Sequence, residues 1–140
     1  MKKFIAYLSL ALLCVSACLT LSCSDNPTEP SALLLVGDWN WVESCGGIAG
    51  TCNSPTTSGH SKSLKFTAGQ IYLEFEDGRV VYTGTYKLDL LERTVFDKSV
   101  NAVLMSGRPC EQLLLTLTTD ELELVDNCID GFTSRYKRLP

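Results

Sequence analysis

Between Ile71 and Tyr86 the chain reads IYLEFEDGRVVYTGTY, with apolar residues at every second position on either side of Asp77-Gly78. Alternation of period two marks strands that are buried on one face and wet on the other. An Asp-Gly pair supplies the two positive-φ positions of a type I′ turn, so the stretch predicts a tight hairpin. Such a turn pairs Glu76 with Arg79, Phe75 with Val80, Leu73 with Tyr82 and Ile71 with Gly84. In that register Ile71, Leu73 and Phe75 share an inner face, while Glu74, Glu76, Arg79 and Thr83 share the outer one; Tyr72 and Val81 break the pattern. EQLLLTLTTDELELV predicts a second hairpin turning at Thr119-Asp120, with Leu117 opposite Leu122 and Leu115 opposite Leu124. FTSRYKRL reads as a last strand with Phe132 and Tyr136 on one side, and GDWNW as a first strand with Trp39 and Trp41 on one face. No long stretch carries a 3.6-residue period, and no helix is needed. Consecutive hairpins of short strands predict an all-β domain, a single up-and-down antiparallel β-barrel, with a two-sheet sandwich as the alternative. SCGGIAGTCNSPTTSGHSKS is too long and too rich in Gly and Ser for a tight turn and reads as a flap, and the segment from Tyr86 to Cys110 lacks clean alternation.

The pattern is different at the N-terminus. After Lys2 and Lys3, no charge occurs until Asp25. A bilayer span needs about 20 apolar residues, and Phe4 to Leu21 falls just short, interrupted by Ser9, Ser16 and Thr20. Its exit, TLSCSDNPTEPS, is a small residue and a cysteine followed by a polar, proline-containing tether. This resembles the lipobox of bacterial lipoproteins. The resemblance implies a signal peptide over residues 1–22, a lipidated Cys23 heading a tether over 23–32, and a folded domain over 33–139. Cys18, after Val15-Ser16-Ala17, is the alternative lipidation site; cutting there leaves Leu19-Thr20-Leu21 at the head of the tether. An ordinary secretory signal or an uncleaved anchor is the other reading. Acyl chains contribute about 0.8 kcal/mol per buried CH₂, so the implied partner is a membrane of the bacterial cell envelope. Ser24, rather than aspartate, after the cysteine favours the outer membrane.

Removal of residues 1–22 takes Lys2 and Lys3 with it and leaves ten basic against sixteen acidic side chains, a formal charge of −6. The one basic cluster is Arg135, Lys137 and Arg138, so a nucleic-acid partner is excluded for want of a cationic face. The exported chain also keeps Cys45, Cys52, Cys110 and Cys128, an even number in a compartment that permits disulfides. Of the three connectivities, Cys45 with Cys52 is preferred for closeness in sequence, leaving Cys110 with Cys128 across the second hairpin. That hairpin's simple register puts the two sulfurs on opposite faces, so the pairing requires a bulge near Asp126-Asn127 or a kink at Pro109. Zinc is disfavoured because no two of these four cysteines stand two to four residues apart.

Gly37-Asp38-Trp39 on the first strand resembles the GxW signature of the lipocalins and their relatives. LVGDWNWVESCGGIAG, LKFTAGQ, GTYKL and DNCIDGFTSRYKR extend the similarity to the bacterial lipocalin-like domain of small secreted lipoproteins. The resemblance implies a calycin-type barrel closed at one end by a plug of Gly37, Trp39 and a covering arginine, Arg138 or, second, Arg135. It also implies a small apolar or amphipathic ligand, held by Trp41, Ile71, Leu73, Phe75, Tyr82 and Tyr86. The same residues serve equally as the core of a solid barrel, a structural or protein-interaction module without a small ligand.

Catalytic chemistry is not legible. His60 stands in the flap with no ordered nucleophile near it in sequence, and Glu74, Glu76 and Asp77 read as a solvated strand face beside Arg79. Gly46-Gly47-Ile48-Ala49-Gly50 opens no helix that would hold a phosphate. The expectation is a protein without catalytic residues, metal or cofactor.

Overall fold

The computed structural model describes residues 30–140; the expected signal peptide, Cys18, Cys23 and most of the tether lie outside the described residues. Nine antiparallel strands follow in order: β1 (Gly37–Gly46), β2 (Thr51–Asn53), β3 (Lys62–Phe66), β4 (Ile71–Glu76), β5 (Arg79–Val95), β6 (Lys98–Met105), β7 (Glu111–Leu117), β8 (Glu121–Asn127) and β9 (Phe132–Arg138). Neighbours in sequence pair from β3 to β9, β1 pairs with β3, and β9 returns to pair with β1, closing eight strands into a ring. The short β2 is appended to the far end of β1, where Cys45 stands opposite Cys52.

Among the described residues two short helices depart from the expectation that none is needed: α1 (Pro30–Leu35) and α2 (Pro55–Ser58). The second follows from its own sequence. Ser54 and Thr57 form a reciprocal capping box, Pro55 occupies the first turn, and Gly59 ends the helix at φ 75°. The flap is therefore ordered as a β-turn-helix unit, the β1–β2 hairpin being closed by a disulfide.

Bulges correct both predicted registers. Glu76 pairs with Arg79 and Phe75 with Val80, as the Asp-Gly turn dictates, but an extra residue at Val81 then sets Glu74 opposite Tyr82, Leu73 opposite Thr83 and Tyr72 opposite Gly84. Along β4, Tyr72 and Glu74 consequently face the inside with Leu64 and Phe66 of β3, whereas Leu73 and Phe75 face outwards. In the second hairpin Leu117 stands opposite Leu122, but an extra residue at Leu115 makes Leu114, not Leu115, the partner of Leu124. The segment without clean alternation is the long β5–β6 hairpin, which turns at Phe96 and Asp97, both at positive φ, and loses register between Asp89 and Arg93.

The ring encloses one core of Leu35, Trp39, Leu64, Phe66, Tyr72, Tyr86, Val103, Met105, Leu114, Leu122 and Leu124. A second, smaller cluster of Val100, Ala102, Leu113 and Val125 has the opposite strand parity and lies on the outer side of β6–β8. No helix among the described residues is long and apolar enough to cross a membrane.

Candidate functional site

One end of the ring is closed from within. Trp39 is fully buried, its Nε1–H donates to the Leu35 carbonyl at 2.9 Å, and the Arg138 guanidinium lies over its ring, 4.1 Å from the centroid. Arg138 Nη1 donates to the Val36 carbonyl at 2.8 Å, Nη2 to the Leu34 carbonyl and Nε to the Thr119 carbonyl. One side chain thereby ties α1, the start of β1 and the β7–β8 turn to the last strand. A Cβ at Gly37 would occupy the position of Arg138 Nη1, so glycine is required there by this close approach. Arg135 points elsewhere and pairs with Glu43.

Above the plug the ring is packed with side chains. Trp41 and Tyr86 face inwards and are buried. Tyr82 also faces inwards but sits towards the other end against Tyr72, 37% exposed. Ile71, Leu73 and Phe75 do not line the inside; the bulge at Val81 turns them out, and Ile71 is 42% exposed. Their expected place is taken by Tyr72 and Glu74. The Tyr72 hydroxyl donates to the Ser106 carbonyl, and that of Tyr86 to the Thr67 carbonyl at 2.7 Å, so both are committed to backbone. Burial pushes the Tyr72 hydroxyl up to about 12, with the Glu74 carboxylate adding to it, and raises that of Tyr86. Both remain neutral hydrogen-bond donors near neutral pH.

The half of the interior farther from Trp39 is polar. Trp41 Nε1–H donates to Ser44 Oγ at 2.8 Å, Ser44 bonds Ser134 at 2.7 Å, and the Lys62 ammonium lies 5.4 Å from the centroid of Trp41. The buried Gln112 donates to Asp126 Oδ1 at 2.7 Å and to the Cys110 carbonyl at 3.2 Å. Arg108 enters from the β6–β7 loop and pairs with Glu74 at 2.7 Å. Its Nε is buried and has no hydrogen-bond partner among the described residues. Tyr136 keeps a little accessible surface, but its hydroxyl is enclosed and burial pushes it up to about 12. The space beside Glu74, Arg108 and Tyr136 is about 90 Å³. That is room for about three waters, well below the roughly 300–1,000 Å³ typical of pockets for drug-sized ligands.

The far rim is braced by both disulfides, Cys45–Cys52 and Cys110–Cys128. The bulge at Leu115 makes the second one feasible, because it sets Glu111 opposite Asn127 and so brings Cys110 and Cys128 to the same face. The β1–β2 turn and the β8–β9 loop touch: Gly47 N–H donates to the Gly131 carbonyl at 3.3 Å, and a Cβ at Gly46 would strike that same oxygen. Each loop carries one isoleucine almost wholly in solvent, Ile48 at 90% and Ile129 at 92% exposure. No charged residue occurs from Ser44 to Gly59, and Asp130 adjoins Ile129. Nearby, His60 Nδ1 lies 2.8 Å from Asp77 Oδ2 while Ser61 N–H donates to Asp77 Oδ1 at 2.8 Å, so the flap is clasped to the β4–β5 turn. The hydrogen bond and charge of Asp77 raise the His60 pKa above its ordinary value, and His60, with the Ser61 backbone N–H, holds Asp77 low.

Glu74, Arg108, Ile48 and Ile129 were not legible as site residues. Glu74 reads as a wet-face glutamate until the bulge is known, although Tyr72 and Val81 marked where alternation fails. The exposed isoleucines carry a usable signal, an apolar residue at the tip of a cysteine-flanked, glycine-rich loop. Among the described residues no group of three or more His, Cys, Asp or Glu side chains is arranged to hold a metal ion. No family model, curated protein or solved structure matches the chain.

Proposed function

We propose that this protein is a lipid-anchored, lipocalin-like barrel of the bacterial cell envelope whose interior is structural and whose rim docks another protein. The observation that carries this reading is the near-complete exposure of Ile48 and Ile129 on two touching, disulfide-braced loops above a filled interior. Burying both isoleucines would contribute roughly 3–6 kcal/mol in gross terms, at about 1.5–3 kcal/mol each. Bracing removes much of the loop entropy that docking would otherwise cost. The tips carry neither cationic nor aromatic side chains, which disfavours a bilayer surface, and Asp130 beside Ile129 suits a protein groove with a cationic border. The tether leaves from α1 at the plugged end, about 30 Å along β1 from the rim, so on an anchored protein the rim points away from the membrane.

The test uses the full lipidated chain in a bacterial envelope, with a photo-crosslinking residue placed at position 48, 129 or, on the remote β5–β6 turn, 96. Docking at the rim gives one discrete protein adduct from 48 and 129 and none from 96. The purified partner should then bind the double variant I48D/I129D at least tenfold more weakly. Equal crosslinking at all three positions, or unchanged affinity, overturns the proposal. So does a native mass carrying a small molecule released on denaturation, if that molecule is bound inside the ring. The anchor is tested separately: Cys23→Ser should move the protein to the soluble fraction and Cys18→Ser should not.

A further inference from the structure

On the outer side of β5–β6, below the arch of residues 106–111, lies an open cleft of about 700 Å³. Its position follows from the fold. Lys87 stands opposite Leu104 on this pair of strands, and the arch is pinned at one point by the Arg108–Glu74 ion pair and at another by the Cys110–Cys128 disulfide. The accessible apolar part of the lining comes from Leu104, 39% exposed, and Pro109; Tyr86 and Met105 border the cleft but are buried in the core.

Three ionisable side chains with fixed charge line it, Lys87, Arg108 and Glu111. Glu111 is already committed, its carboxylate accepting from Arg93 at 2.7 Å and from Asn127 Nδ2 at 2.9 Å. These hydrogen bonds, that of Asn127 first, hold its pKa low, so it remains an ionised and neutralised partner. Lys87 makes no ion pair among the described residues, whereas Arg108 turns inwards to Glu74 and its Nε is buried away from the cleft. In a chain of net negative charge the cleft therefore offers an apolar surface beside one exposed ammonium, that of Lys87, able to receive an anion.

We propose that this cleft is a binding site for an amphipathic organic monoanion, an apolar body carrying a carboxylate or sulfonate head. The head is received by Lys87, and the body lies on Leu104 and Pro109. The volume matches a drug-sized ligand, unlike the small interior space. The site shares no isoleucine with the rim and does not depend on rim docking.

The probes are 8-anilinonaphthalene-1-sulfonate and its uncharged analogue N-phenyl-1-naphthylamine, titrated by fluorescence and mapped by amide NMR shifts on the oxidised protein. Both test residues are exposed, and near-ultraviolet circular dichroism checks that the fold is kept. Lys87→Glu should weaken the sulfonate at least tenfold and change the uncharged analogue less than twofold. Leu104→Asp should weaken both. Shifts should centre on residues 85–87 and 104–111. Absence of sulfonate binding, insensitivity to both substitutions, or shifts confined to 46–50 and 128–132 would each overturn the assignment.

Discussion

Arg138 is the side chain whose removal should be felt most widely. Its planar fork serves the carbonyls of Leu34, Val36 and Thr119 while its face covers Trp39. Hydrogen bonds from a charged donor contribute about 1.5–3 kcal/mol each. The Thr119 carbonyl lies at an exposed turn and is left out of the sum. The two part-buried carbonyls, taken at the low end because water replaces the lost donor, give about 3 kcal/mol, and the cation–π contact adds about 1 kcal/mol. Arg138→Met keeps the apolar stem and loses all of this, so a net loss of about 3–4 kcal/mol is expected. Arg138→Lys keeps the charge but reaches only one acceptor, recovering about a third. The assay is urea unfolding of the oxidised protein, followed by tryptophan fluorescence. At an m-value of about 2 kcal/mol/M, the methionine variant should lose between about 1.5 and 2 M of midpoint. A methionine variant within about 0.2 M of the parent, or a lysine variant equal to it, would refute the reasoning.

The disulfides close loops of 18 and 7 residues, so loop-closure entropy predicts a loss of about 3 kcal/mol for C110S/C128S and about 2.4 kcal/mol for C45S/C52S. Urea midpoints should rank them in that order, and the reverse ranking would show that loop entropy is not the controlling term. The His60–Asp77 clasp titrates from both sides. Its His60 contribution is complete below the ordinary 6.5 and is lost as pH rises through the raised folded pKa; its Asp77 contribution is complete above the ordinary 3.8 and is lost as pH falls through the lowered one. The flap is therefore held best between about pH 4 and 6.5, and intrinsic-rate-corrected amide protection of residues 54–61 should fall between pH 6 and 8.5 in the parent but not in Asp77→Asn. Equal pH dependence in both proteins would remove the clasp from the explanation.

The strands and the Asp-Gly turn were legible because a two-residue turn and a period of two are local signals. Their registers were legible only as far as the first bulge, since one extra residue inverts every side chain beyond it. Val81 illustrates the difficulty: Glu76 and Phe75 pair as a plain hairpin requires, and the next residues do not. The simple register gave Ile71, Leu73 and Phe75 an inward role that belongs to Tyr72 and Glu74. The mismatch at Tyr72 and Val81 was a visible sign of this. The second hairpin shows the same physics used in the other direction. The expected clash of faces between Cys110 and Cys128 did require a bulge, and Leu115 supplies it, several residues from either position considered. The Arg108–Glu74 pair joins residues 34 apart through a loop and carries no local signature.

These bulges also account for the polarity of the interior. Without the extra residue at Val81, Ile71, Leu73 and Phe75 would take the inward positions in place of Tyr72 and Glu74 and carry the apolar packing towards the rim. With it, Glu74 faces inwards, and a carboxylate in that position requires a partner. Arg108 meets the requirement, and in doing so it draws the 106–111 arch across the sheet towards β4. The arch forms one wall of the outer cleft, and Cys110 at its end is bonded to the loop that displays Ile129. One inserted residue in β5 is thus linked by successive contacts to the filled interior, the outer cleft and the support of the rim. Restoring regular register there would remove the inward position of Glu74, leave Arg108 without its carboxylate, and release the arch on which both proposed binding surfaces rest.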